Sequence, residues 1–361
     1  MFQNFQRHCS QIIEGIQALA IPALFAGKLT EPADYNRRME YRKLGRTGLK
    51  VSELCLGTMT FLWTSDEPSS LAVMSAFTAA GGNFIDTADV YSRWAPGNPG
   101  GTAEILIGKW LKTAAQPRAS LVIATKCRGA MGSGPNDQGA SRHHIISALD
   151  ASLGRLQTDY VDLYQIHSAD FEARPDETLR ALDDLTRMGK IRYAGASNYP
   201  AWWLMKSLWA SDARNLVRFE SIQPHYNLMV RAEFERELAA VVADQGLAVI
   251  PYSPLAGGYL TGKYAGGAAL EGTRASVSKR IQDYVTSGRG APILAALNEI
   301  STARGRSLTE TALAWLLSNP LVTAPIIGAN TVEQLNASLG VVGYRLSEAE
   351  MKALNDASKW D

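Results

Sequence analysis

The stretch NFIDTADVYS, residues 83 to 92, runs an apolar pair, Phe84-Ile85, straight into an aspartate and places a phenol five residues later. Asp86 and Tyr91 gain company downstream: Lys126 ends the apolar run of VIATK, and His167 ends DLYQIH. An acid, a lysine, a histidine and a tyrosine form a set suited to handling protons. A lysine removed from water disfavours its charged form and needs a partner, which Asp86 can be. The ammonium then stabilises the ionised form of a nearby phenol. That phenol starts near pKa ~10 and is drawn toward working pH, where a general acid is most effective. His167 can donate a second hydrogen bond to the same substrate atom, so that Tyr91 and His167 together bind a carbonyl oxygen as it gains negative charge. Taken singly, each residue has a plainer reading: Asp86 as a helix cap, Lys126 as a surface residue, His167 as a satisfied core histidine. The joint pattern argues for chemistry.

These residues must be positioned by regular elements, and from residue 39 onward strand and helix signals alternate. Residues 41–59 read as a hairpin turning at Thr47-Gly48, followed by a buried strand that ends near Gly57. Further strands are expected at 83–87, 121–125, 160–166, 191–196, 218–222, 247–252 and 322–327. Helical periodicity covers 69–81, 102–114, 143–157, 175–190, 201–210, 231–246, 307–318, 331–340 and 347–358. Strands separated by helices pair in parallel through crossovers. Eight such units over about 300 residues predict an α/β fold, a (β/α)8 TIM barrel. An open doubly wound sheet is the rival, but LGTMTF at 56–61 lacks its GxGxxG turn. Residues 255–280 read as one long loop, the kind that forms a lid.

In a barrel, Asp86, Lys126 and His167 fall on one rim with Ser197-Asn198, Gln223, Tyr252-Ser253 and Gly328. That rim is the catalytic face of the architecture. Reduction of a carbonyl needs a hydride donor, and with no flavin or metal signature a nicotinamide is the economical choice. Ser197, Asn198 and Gln223 offer amides and a hydroxyl suited to a carboxamide, and Tyr252 offers a ring to stack on it.

Composition narrows the remaining classes. Lys plus Arg number 36 against 35 Asp plus Glu, a formal charge of +1, so there is no electrostatic case for a nucleic-acid or anionic-membrane partner. Cys9, Cys55 and Cys127 fit no zinc spacing, and the five histidines show no HExxH. No metal is expected, and the default compartment is the reducing cytoplasm. Residues 1–38 differ from the rest. Their apolar run, 12–27, is broken by Glu14, Gly15, Gln17 and Pro22 and is too short to span a bilayer. They are expected to be a poorly ordered N-terminal extension to a barrel of residues 39–361. Oligomeric state is not legible.

The blocks GGNFIDTADVYS, IATK, DLYQIH, GASNY, IQPHYN, YSPLAGGYLTGKY and IIGANTVEQL, in this order, resemble the aldo-keto reductase family from residue 40 to about 358. The resemblance implies a (β/α)8 barrel with a hairpin across the bottom, and NADPH-dependent reduction of aldehydes and ketones. It implies Tyr91 as general acid, with Asp86, Lys126 and His167 completing the catalytic group. It carries nicotinamide contacts to Ser197, Asn198, Gln223 and Tyr252, and pyrophosphate contacts to Ser253, Leu255, Gly257 and Lys263. Thr58 and Met59 match positions near the ribose and nicotinamide, and Arg274, Gly328 and Gln334 match positions near the adenosine.

Asn330 and Ser338 also fall at the adenosine end, where the pattern weakens. Asn330 stands where many relatives carry Ser, Lys or Arg, and an asparagine cannot neutralise a 2′-phosphate as an arginine would. NADPH is the expected cofactor, with NADH use left open. Phe61, Trp63, Trp94 and Tyr226 are candidate walls for a medium-sized carbonyl substrate. Two other functions stay open: a nucleotide-sensing regulatory barrel with little turnover, and a Schiff-base aldolase with Lys126 as nucleophile.

Overall fold

In the computed structural model, residues 38–264 and 278–360 are described. The chain enters as a hairpin, β1 (Tyr41–Lys43) against β2 (Lys50–Ser52), antiparallel with Tyr41 opposite Ser52. At its turn Gly45 has φ +58°, and a Cβ there would lie 2.4 Å from the Glu220 carbonyl oxygen. Only glycine allows this approach. The same turn abuts the backbone of Gly246 and Ala248, so the hairpin lies across the amino-terminal ends of the strands.

Eight parallel strands follow among the described residues: β3 (Cys55–Gly57), β4 (Phe84–Asp86), β5 (Val122–Cys127), β6 (Val161–Ile166), β7 (Ile191–Ser197), β8 (Phe219–Gln223), β9 (Ala248–Val249) and β10 (Ile326–Gly328). They pair in chain order from β3 to β9, with β10 beside β3. Closure comes from Thr323 N–H to the Val249 carbonyl at 2.8 Å and Ile326 N–H to the Pro251 carbonyl at 2.9 Å. This is the expected (β/α)8 barrel. The last two strands are shorter than their apolar runs suggest, since Pro251 and Pro325 have no N–H to add to the ladder.

The core divides into two layers by strand parity. Cys55, Phe84, Val122, Ala124, Leu163, Ala248, Ile250, Ala324 and Ile326 pack inside the barrel, with Leu44 and Val51 of the hairpin closing its floor. The opposite parity packs against the helices. Phe84 leads to Asp86, Val122 and Ala124 to Lys126, and Leu163 to Gln165. Because side chains alternate faces along a strand, each polar residue continues the interior column at its carboxyl end.

Most helices lie close to their expected positions. The stretch 231–246 differs, breaking into Ala232–Glu235 and Leu238–Gln245 at Glu237. The expected loop 255–280 contains a 3-10 helix, Ala256–Thr261, and the start of an α-helix, Lys279–Thr286. A further helix, Gly290–Arg304, was not expected. Its opening Gly290-Ala291-Pro292 reads as a loop, yet proline is tolerated in a first helical turn, where its missing N–H has no partner to lose.

Candidate active site

The barrel brings Asp86, Lys126 and Tyr91 into contact. Lys126, fully buried on β5, donates to the Asp86 carboxylate, to the Thr87 carbonyl at 2.9 Å and to the Tyr91 hydroxyl at 2.8 Å. Tyr91 reaches this spot because Gly101 N–H donates to the Asp89 carbonyl at 2.6 Å and the Ser92 hydroxyl to the Phe61 carbonyl at 2.8 Å, folding residues 87–101 back over the rim. His167 follows β6, and its ring meets that of Tyr91 edge to face, centroids 5.9 Å apart.

A residue that sequence reasoning missed completes the support. The Gln165 side-chain nitrogen donates to Asp86 Oδ2 at 3.0 Å, and Gln223 donates to the same oxygen at 2.9 Å. Both Asp86 oxygens are therefore held. The signal was present in DLYQIH, where Leu163, Gln165 and His167 share one parity and so one face.

Burial alters the expected electrostatics. It pushes Tyr91 upward, and although Lys126 pulls it down, the phenol ends at about 12 rather than near working pH. For Lys126, burial disfavours the ammonium, but Asp86 and Tyr91 outweigh it and the pKa rises. Burial, helped by the charges of Lys126 and Arg128, drops His167 to about 3, so its imidazole is neutral. Behind β5, outside the barrel, Thr125 donates to Glu104 at 2.5 Å and Arg155 pairs with the same carboxylate at 2.7 Å. Asp89 lies buried beside them with neither carboxyl oxygen hydrogen-bonded. Burial, with Glu104 adding repulsion, raises it to about 7.

The sequence profile of the Aldo/keto reductase family matches residues 53–359. The chain belongs to the aldo/keto reductase family. It is similar to an uncharacterised oxidoreductase, YrpG, of Bacillus subtilis, at 38% identity over 88% of this chain and 95% of the relative. It is 34% identical to the versiconal hemiacetal acetate reductase of Aspergillus parasiticus, over 88% of this chain and 96% of that one. Protein tas of Escherichia coli is also 34% identical, over 88% and 98%.

In this aldo/keto reductase the Ser197 hydroxyl donates to the Gln223 carbonyl at 3.0 Å. Asn198 donates to the His167 carbonyl at 2.9 Å and accepts from the Tyr252 hydroxyl at 3.0 Å. The Tyr252 ring stacks on His225, centroids 4.9 Å apart. Gln223 was expected at a carboxamide, but its side-chain nitrogen is committed to Asp86 and Gln165, leaving Oε1 for a ligand. The Thr58 hydroxyl is turned onto the Asp86 carbonyl at 3.1 Å, and Met59 is half-buried beside it. Ser253, Ala256, Gly257 and Gly258 all have positive φ, with Leu255 between them. Lys263 lies over the Tyr264 ring at 4.9 Å.

At the far end, Gly328 ends β10, and Asn330 N–H donates to Gln334 Oε1 at 2.9 Å. Ser338 is 3% exposed, with its hydroxyl turned back to the Gln334 carbonyl. A helix serine bonded to its own preceding turn has its hydroxyl proton engaged within the helix. Arg274 lies outside the described residues. Of the four wall candidates, Trp63 and Trp94 form an edge-to-face pair, centroids 5.5 Å apart, with Trp94 6.2 Å from Tyr91. Phe61 and Tyr226 are core residues instead, 0% and 1% exposed. Tyr226 packs between Phe234 and Trp315 and donates to Glu235 at 2.7 Å.

Among the described residues no group of His, Cys, Asp and Glu side chains could hold a metal ion. No helix there is long and apolar enough to cross a membrane.

Proposed function

We propose that this aldo/keto reductase reduces aldehydes or ketones to alcohols with NADPH, using Tyr91 as general acid. The observation that carries the reading is the 2.8 Å contact from the buried Lys126 ammonium to the Tyr91 hydroxyl. The residues present fit a nicotinamide dinucleotide. Lys263 is a cation beside Gly258, in a turn with left-handed backbone at Ser253, Ala256, Gly257 and Gly258, a geometry that aims amides at anions. Thr331 caps the helix Val332–Leu339, whose amino terminus favours negative charge. Such a cofactor supplies the hydride when bound. Ser197, Asn198 and Tyr252 would hold its ring, with Gln223 contributing Oε1; Ser253, Leu255, Gly257 and Lys263 would hold its phosphates.

The chain's own groups then handle the proton. Tyr91, at about 12, is loaded with its proton throughout the physiological range and passes it to the substrate oxygen as charge develops there. Lys126 stabilises the phenolate left behind. Asp86, gripped by Gln165 and Gln223, keeps Lys126 charged and aimed. His167, neutral, donates its ring N–H to the same substrate oxygen. Lys126 as a Schiff-base nucleophile is disfavoured, because its ammonium is engaged by three acceptors and an attacking amine must be free of its proton. The regulatory alternative keeps the same pocket and differs in turnover alone.

NADPH remains ahead of NADH, with Lys263 a described cation available to a phosphate and Arg280 a second one near Tyr252. Asn330, whose Oδ1 accepts from Thr64 at 3.2 Å, brings no charge, and NADH use at reduced efficiency belongs to the same reading. So do the cytoplasm as compartment and residues 1–38 as an extension. The test is cofactor consumption, with each nucleotide, against a panel of aldehydes, ketones and keto-sugars. Tight nucleotide binding without turnover of any carbonyl would replace the enzyme by the regulatory barrel.

A further inference from the structure

Arg128 is a part-buried cation at the barrel mouth that the chemistry above does not use. It directly follows Cys127, the last residue of β5, and stands two positions past Lys126. Its φ is +116°, a strained backbone region for a non-glycine residue that concentrates at functional sites. Its Nε is buried without a hydrogen-bond partner among the described residues, and an unsatisfied buried donor is itself destabilising. The arginines that open the helices after β5 and β6 are paired, Arg142 with Asp184 and Arg174 with Asp176. Asp170 is committed elsewhere, accepting the backbone N–H of Ala140 at 2.7 Å and of Glu172 at 3.0 Å. The Arg128 charge is felt at both His167 and Tyr199.

Position decides what it would meet. The candidate cofactor contacts occupy the ends of β7 to β10 and of β3. The arc left over, from β4 to β6, holds Tyr91, Trp94, Arg128 and His167. A strained guanidinium with no ion-pair partner among the described residues, on the same arc of the rim as the Trp63–Trp94 pair, is suited to a ligand with both a flat apolar body and an anion. We propose that Arg128 sets substrate specificity by binding an anionic group, a carboxylate or a phosphate, on a carbonyl compound whose body lies against Trp94. The inference rests on the reductase reading of the same mouth. A guanidinium fork matches either anion through two parallel hydrogen bonds.

The test uses the full-length protein with 4-carboxybenzaldehyde, its methyl ester and 4-formylphenyl phosphate. At least one anion is expected to exceed the ester in kcat/KM by about tenfold, through KM, as a charge-assisted pair implies. The stronger of the two identifies the anion. Arg128→Met collapses the ratio toward one, and Arg128→Lys keeps part of it. Arg128→Gly suits the backbone, so it loses the ratio without loss of fold. Calorimetric binding of 4-(hydroxymethyl)benzoate and its methyl ester gives the same comparison without turnover. An ester that reacts and binds as well as both anions, or a preference that survives Arg128→Met, overturns the inference and leaves the reductase reading intact. Arg128-dependent anion binding with no turnover of any aldehyde does the reverse.

Discussion

Lys126 and Tyr91 meet at 2.8 Å in a place where both are buried, and burial rather than charge decides the resting state of the phenol. The cation's effect is reserved for the moment the proton leaves, when the phenolate needs a counter-charge that is already in position. Tyr91→Phe keeps the ring and its packing while removing that proton. Reduction is expected to fall by about 10²–10⁴-fold, the range for a lost general acid. Nucleotide affinity, followed by fluorescence titration, should stay within about twofold, because the hydroxyl is not among the proposed nucleotide contacts.

Removing Lys126 should cost stability as well as activity. Lys126→Met leaves the Asp86 carboxylate buried with neutral donors alone, the Gln165 and Gln223 amides and the Tyr91 hydroxyl, and breaking one side of a buried pair costs about 3–5 kcal/mol. Adding Asp86→Asn removes the stranded charge, so the double variant should be more stable than Lys126→Met in urea denaturation. Strict additivity of the two losses would mean that the pair is not coupled.

The pH profile of kcat/KM should be flat where histidines normally titrate. With His167 at about 3 and Tyr91 at about 12, the imidazole stays neutral and the phenol stays protonated from about pH 5 to 9. A limb near pH 6.5 that disappears in His167→Gln would show instead that the ring is charged in the working enzyme.

Asp89 sets a stability trend rather than a rate. Its folded-state pKa of about 7 lies above the ordinary 3.8, so the folded protein binds this proton more tightly than the unfolded chain does. That contribution is full below about pH 4 and is lost as pH rises through 7. Asp89→Asn mimics the protonated acid and should be the more stable protein at pH 8. The gain is on the order of 2–4 kcal/mol and should shrink toward zero at pH 4. Equal melting temperatures at both pH values would show that the carboxyl is not desolvated.

Much of the site was legible because strands impose a period of two. Asp86 and Lys126 announce themselves as ionisable groups ending apolar runs, and alternation along a parallel barrel sends each to the mouth. The same parity marked Gln165, but a glutamine inside DLYQIH carries no charge to draw notice. The helix Gly290–Arg304 was hidden by its glycine and proline, because the first turn of a helix tolerates what its interior does not.

The alternation of strands and helices, the closed barrel that follows from it, and the rim on which Asp86, Lys126 and His167 stand were all readable along the chain. All of these follow from local periodicity along the chain. Packing in the closed barrel, by contrast, puts Tyr91 at about 12, buries Phe61 and Tyr226 in the core, and gives Arg128 Nε no hydrogen-bond partner among the described residues. Those outcomes depend on desolvation and pairing, and both are set by atoms brought in from distant elements once the barrel has closed.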